Sequence, residues 1–141
     1  MMLMSTMDIS ASALVAQRTN LDTIAQNIGN MHATRDADGN PNPYRRKIAL
    51  FAHGSPGAGR NGTGVRVDSI VESKDAFRLV YDPTHPDAIK SGEKEGYVRY
   101  PNVDQSTEIV NGMMAARIYE ANITVMEITK TIAAASLRVM A

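Results

Sequence analysis

Residues 105–139, QSTEIVNGMMAARIYEANITVMEITKTIAAASLRV, decide the fold. Met114, Ile118, Ala121, Val125, Ile128, Ile132, Ala135 and Val139 recur at alternating spacings of four and three. That spacing aligns them on one narrow stripe of an α-helix, the pattern of helices that pack along their length. A second stripe stands at the other end of the chain: Leu3, Met7, Ser10, Leu14, Gln17, Leu21, Ile24, Ile28 and Met31. The C-terminal helix is expected to start near Asp104 as N-cap, with Glu108 in its first turns and Lys130 and Arg138 towards its end. Gly112 is its weak point, costing about 1 kcal/mol relative to Ala. The N-terminal helix is expected from about Ser5 to about Met31, with Asn27, Gly29 and Asn30 weakening its last turns.

The turn-rich run Asp36 to Pro43 closes the first helix, and short β-rich stretches follow. Tyr44 to Phe51, Val65 to Glu72, Phe77 to Tyr81 and Gly96 to Tyr100 read as strands, making a small unit of four. The alternation in the second stretch is flawed at Ser69 and Ile70. Gly54 to Gly64, rich in Gly, reads as a flexible loop. The expected architecture is therefore α+β. Long N- and C-terminal helices (1–35 and 104–141) pack as a coiled-coil-like pair, with a β-rich middle (36–103) inserted between them. Seven aromatic residues and no Trp leave that middle little from which to build a core. A lone helical hairpin is marginal, so the stripes point to burial against neighbouring copies or partners rather than only to the core of a hairpin.

Composition narrows the function classes. Lys plus Arg and Asp plus Glu balance at 15 each, which gives no reason to expect nucleic acid or an anionic membrane surface as partner. Cysteine is absent, excluding disulfides, thiolate nucleophiles and Cys-ligated zinc. No run approaches 18 apolar residues, so no membrane-spanning helix is expected. The N-terminus has no basic region ahead of an apolar run, so a cleaved secretory leader is not expected either.

Catalytic and ligand-binding patterns are weak. Gly54 and Gly59 have P-loop spacing, but Arg60-Asn61 stands where Lys and Ser or Thr would be needed. His32, His53 and His85 lie far apart and lack the helical spacing of zinc ligands. Asp82-Pro83-Thr84-His85-Pro86-Asp87 reads as a proline-braced turn whose Asp and Thr side chains bond nearby backbone groups. The triplet Arg45-Arg46-Lys47 reads as a solvated strand edge that discourages unwanted pairing. No catalytic residue, cofactor or metal is expected, and the chain reads as a non-enzymatic assembly subunit.

Residues 9–35, ISASALVAQRTNLDTIAQNIGNMHATR, resemble the N-terminal signature of bacterial flagellar axial proteins, whose helix ends in Asn-Ile-x-Asn, here Asn27-Ile28-Gly29-Asn30. PYRRK (43–47), YDPTHPDA (81–88), GYVRYPNVD (96–104) and RIYEANITV (117–125) narrow the resemblance to basal-body rod proteins of the proximal rod. Gly29 and Met31-His32 depart from the small residues usual after Asn-Ile. The resemblance implies export by the flagellar type III apparatus without a cleaved leader. It also implies helical polymerisation in the periplasm with self-copies and other rod subunits, as a drive shaft enclosing the export channel. Terminal helices would form the inner tube. Asn27, Ile28 and Asn30, with Tyr119, Glu120, Ala121 and Asn122, carry over as helix-end and interface motifs. From the stripes, Leu14, Leu21, Ile24, Ile118, Val125, Ile128 and Ile132 join them as the expected assembly interface. Another rod or hook subunit, or a secreted coiled-coil effector or adhesin, are the competing expectations.

Overall fold

The computed structural model describes residues 2–54 and 63–140. Two long helices, α1 (Met2–Gly29) and α2 (Gln105–Met140), flank strands β1 (Lys47–His53), β2 (Val65–Glu72), β3 (Arg78–Tyr81) and β4 (Tyr97–Tyr100). At ~1.5 Å per residue, α2 is roughly 54 Å long. Its N-cap is Asp104, whose carboxylate accepts from the Thr107 backbone N–H at 2.9 Å and from the Thr107 hydroxyl at 2.6 Å. Those two bonds hold the Asp104 carboxyl below its ordinary pKa. At its other end α1 stops two residues earlier than the sequence suggests, after Gly29. There the Gln26 carbonyl accepts from both the backbone N–H and the side chain of Asn30, at 3.0 and 2.8 Å, which closes the last turn.

The helices pack antiparallel, with Asn27 facing Glu108 and Ile24 facing Gly112. The pair forms as expected, but α2 turns a different row inward. Glu108, Gly112, Ala115, Tyr119, Asn122, Met126, Thr129 and Ala133 form a buried or half-buried row, with Asn111 and Ala116 half-buried beside it. This row is also a heptad, displaced by one residue from the apolar stripe and therefore rotated by about 100° around the helix. Its residues are mostly small or polar, which lets the two helix axes approach closely. A Cβ added at Gly112 would meet Ile24 Cγ2 at 3.6 Å, an ordinary van der Waals distance.

The β region is two separate antiparallel hairpin sheets rather than one unit of four strands: β1 pairs with β2, and β3 with β4. Too few apolar residues are available to cover the faces of a single larger sheet. In the first sheet the register runs from Lys47 opposite Glu72 to His53 opposite Val65, and slips between Leu50 and Phe51. Asp68 is the extra residue of that β-bulge, which accounts for the broken alternation at Ser69 and Ile70. This sheet rests on α1, where Ser12 Oγ accepts from the Val65 N–H at 3.1 Å. Gly64, at φ 102°, lies so near Ser12 that a side chain there would collide with the hydroxyl. Most of the expected Gly-rich loop, 55–62, lies outside the described residues.

The segment 82–88 is a turn, with Asp82 accepting from both the N–H and the hydroxyl of Thr84. Asp87 reaches back to the chain that follows α1: Thr34 donates to it at 2.9 Å and Arg35 pairs with it at 2.7 Å. The Arg35 contact outweighs the raising effect of burial and, with the Thr34 bond, holds the Asp87 carboxyl below its ordinary pKa. The second hairpin is thereby clasped to the end of α1.

Candidate assembly interface

A polar node sits where α1, β1 and α2 converge. Asn27, 1% exposed, uses both ends of its amide. Its Nδ2 donates to the Lys47 carbonyl at 2.8 Å and to Glu108 Oε2 at 2.9 Å. Its Oδ1 accepts from the Lys47 N–H at 2.8 Å and the Tyr44 hydroxyl at 3.0 Å. Glu108 is fully buried, and its other oxygen pairs with Arg46 Nε at 2.6 Å. Burial, followed by the charges of Glu108 and Glu72, raises the Tyr44 pKa and keeps the phenol a donor. Among the described residues, no buried side-chain nitrogen or oxygen is left without a partner.

The node corrects the expectation for the basic triplet. Arg46 is a buried carboxylate's partner, Arg45 stacks 4.2 Å above the Phe77 ring and donates to the Ser73 carbonyl, and Lys47 lies over Tyr44. Arg46 thereby ties the middle region to α2, while Arg45 and Lys47 pack within the middle region instead of lining a solvated edge. Glu108 likewise does more than face the helix dipole. Spacing gave no signal for Asn27, which stands one residue off the apolar stripe of α1, and a row one residue away has the same period.

The stripe residues have a different fate. Leu14, Leu21, Ile28 and Asn30 are half-buried on α1, whereas Ile24 and Asn27 are covered by the chain itself. On α2, Met114 is 60% exposed, Ile128 54%, and Ile118, Val125 and Ile132 similarly so. Tyr119 and Asn122 belong to the inner row, and Asn122 donates to the Ile118 carbonyl at 2.8 Å. Glu120 and Ala121 are exposed, with Glu120 paired to Arg117 at 3.2 Å. The expected interface residues thus divide into a group the fold covers and a long apolar row that it leaves outside. Covering the exposed half of five such side chains is worth about 1 kcal/mol each. An apolar row of this length on a rigid helix can bury against another helix, and it carries no group suited to acid–base or nucleophilic chemistry. No helix among the described residues is long and apolar enough to cross a membrane.

Comparison with known proteins adds to this geometry. Residues 94–139, which include nearly all of α2, match the family described as flagellar basal body rod FlgEFG protein C-terminal. The chain is 43% identical to the flagellar basal-body rod protein FlgC of Bacillus subtilis, over 88% of this chain and 89% of that protein. To FlgC of Borreliella burgdorferi it is 40% identical, with 98% and 97% covered. To FlgC of Salmonella typhimurium it is also 40% identical, with 93% and 92% covered.

Proposed function

The chain belongs to the FlgC family of flagellar basal-body rod proteins, and from that premise we propose how it serves as a structural subunit of the rod. Its helical pair lies in the wall of a helically built proximal rod, which spans the periplasm, transmits torque and encloses the export channel. The β hairpins lie further out. Neighbours are further copies and other rod subunits, and the chain reaches them through the flagellar type III export apparatus. The interface comprises Leu14, Leu21, Ile28 and Asn30 on α1, with Ile118, Glu120, Ala121, Val125, Ile128 and Ile132 on α2. Ile24, Asn27, Tyr119 and Asn122 set the shape of that surface from beneath.

The observation that carries this proposal is the outward stripe of α2. A large apolar row on the solvent side of a helix is unfavourable for an isolated chain and is removed when neighbouring helices cover it. Long helices packed side by side also spread a shearing load over many small dispersion contacts, as a drive shaft requires. Electron microscopy of basal bodies from cells lacking the chain tests the role. Membrane rings without a completed rod or hook are expected; intact rods and hooks would overturn it.

A further inference from the structure

Each β hairpin has one strand whose outer edge is covered and one whose outer edge is bare. In an antiparallel ladder, backbone groups point inward and outward on alternate residues. Ser73 donates its N–H to the Arg46 carbonyl at 2.7 Å, so Ile70 and Glu72 of β2 point away from β1. Asp82 donates to the Gly96 carbonyl at 2.9 Å, so Leu79 and Tyr81 of β3 point away from β4. On β1, the outward N–H and C=O of Lys47 are both taken by the Asn27 amide. On β4, those of Tyr97 are taken by Lys94 and Ile89. The outward groups of Ile70, Glu72, Leu79 and Tyr81 have no partner among the described residues.

Bare edges are ordinarily guarded by lysine, proline or inward-pointing charge. These carry exposed apolar side chains instead: Ile70 and Val71 on β2, and Leu79, Val80 and Tyr81 on β3. Only one antiparallel register uses all four outward residues, with Glu72 opposite Leu79 and Ile70 opposite Tyr81. It also sets Val71 opposite Val80. The backbone alternation thus brings a β-branched residue to an aromatic one and valine to valine, pairs that stabilise a sheet.

Within one chain this register would require residues 74–77 to form a hairpin loop, but that connection is pinned elsewhere. Ser73 is buried and its carbonyl accepts from Arg45 at 3.2 Å. The Asp75 carbonyl accepts from Asn102 at 3.2 Å, and Arg45 stacks on Phe77. β2 and β3 accordingly stand in separate sheets. Each edge is left for another molecule, and the strand that matches it is carried by this chain. A β3–β3 contact would close at two copies. β2 of one copy on β3 of the next leaves a bare edge at each end and propagates. We propose that the β2 edge of one copy pairs antiparallel with the β3 edge of the next, joining hairpins of successive copies into one sheet. The proposal rests on the rod-subunit function above and concerns the β hairpins alone.

The chain has no cysteine, so introduced thiols react alone. Val71 and Val80 would form a non-hydrogen-bonded pair, with Cα atoms about 4.5 Å apart and within disulfide reach. A tagged Val71→Cys copy is co-expressed with an untagged Val80→Cys copy, and isolated basal bodies are treated with a mild oxidant. Mixed dimers are expected about tenfold above those from either variant alone, or from Ile70→Cys with Val80→Cys, which is one residue out of register. Dimers from Val80→Cys alone would establish a β3–β3 contact and overturn the proposal. So would the lack of mixed dimers while both variants are present in the basal bodies. A copy carrying both Val71→Cys and Val80→Cys is expected to link into a ladder of oligomers. A disulfide closed within that single chain would show that the edges meet in one copy, and would also overturn the proposal. Absence of the unsubstituted chain from basal bodies would instead overturn the rod function itself.

Discussion

The two ends of the α1–α2 pair are held in different ways. Near the β region, Asn27, Glu108, Arg46 and Tyr44 form a closed polar node with every buried group satisfied. Towards the far end, Met7, Leu14, Ile123 and Met126 line an open groove, and Ile128 and Ile132 face outward. A buried amide and carboxylate find all their partners at only one axial position of helix on helix, so the node fixes the register. Apolar side chains are far less particular about register, because dispersion and hydrophobic burial are non-directional. One end therefore determines how the chain folds, and the other leaves surface for its neighbours.

Substitutions at the two ends should separate these roles. The largest effect on the isolated chain is expected from Asn27→Asp, which sets a second carboxylate against Glu108 across a contact of 2.9 Å. Two buried like charges with a lost donor should cost about 3–5 kcal/mol in urea unfolding. A loss below about 1 kcal/mol, the worth of one ordinary hydrogen bond, would mean that the node does not govern the fold.

Gly112→Ala, between the two ends, should act in the other direction. The added methyl meets Ile24 at 3.6 Å without a clash and stiffens the helix. A gain of about 0.5–1 kcal/mol is expected, read as a higher melting temperature. A loss would place α1 and α2 closer together than described.

Ile128→Asp should change the stability of the isolated chain least, by no more than about 0.5 kcal/mol, because the side chain is already 54% exposed. Yet the same substitution is expected to block rod assembly and swimming while export continues. Normal swimming would remove Ile128 from the interface. The contrast between Asn27→Asp and Ile128→Asp is the sharpest test: one should unfold the chain, the other should leave it folded and unassembled.

The helices themselves were legible because a 3.5-residue period in 36 residues has no other regular explanation, and Asp104 marks the start of α2 by its own chemistry. All four strands were also visible as β-rich runs, although Tyr44–Arg46, Phe77 and Gly96 proved to be connection instead of strand. The stripe in α2 was read correctly as a row. Its direction was not legible, since the row one residue away has the same period and periodicity carries no information about which row a partner covers. The same limit applied to Arg46 and Glu108, 62 residues apart, whose pairing depends on where β1 crosses the helix ends.

By itself, the sequence determined the α+β class, the two terminal helices, the absence of thiol chemistry and the family motifs, all set by local spacing and residue type. Only the tertiary structure decided that small and polar residues form the inner seam of α2, that the basic triplet is partly buried, and that the strands make two sheets. These depend on which surfaces can approach one another in space. Close packing favours the row with small side chains, and a buried carboxylate must sit beside a cation that reaches it, here Arg46.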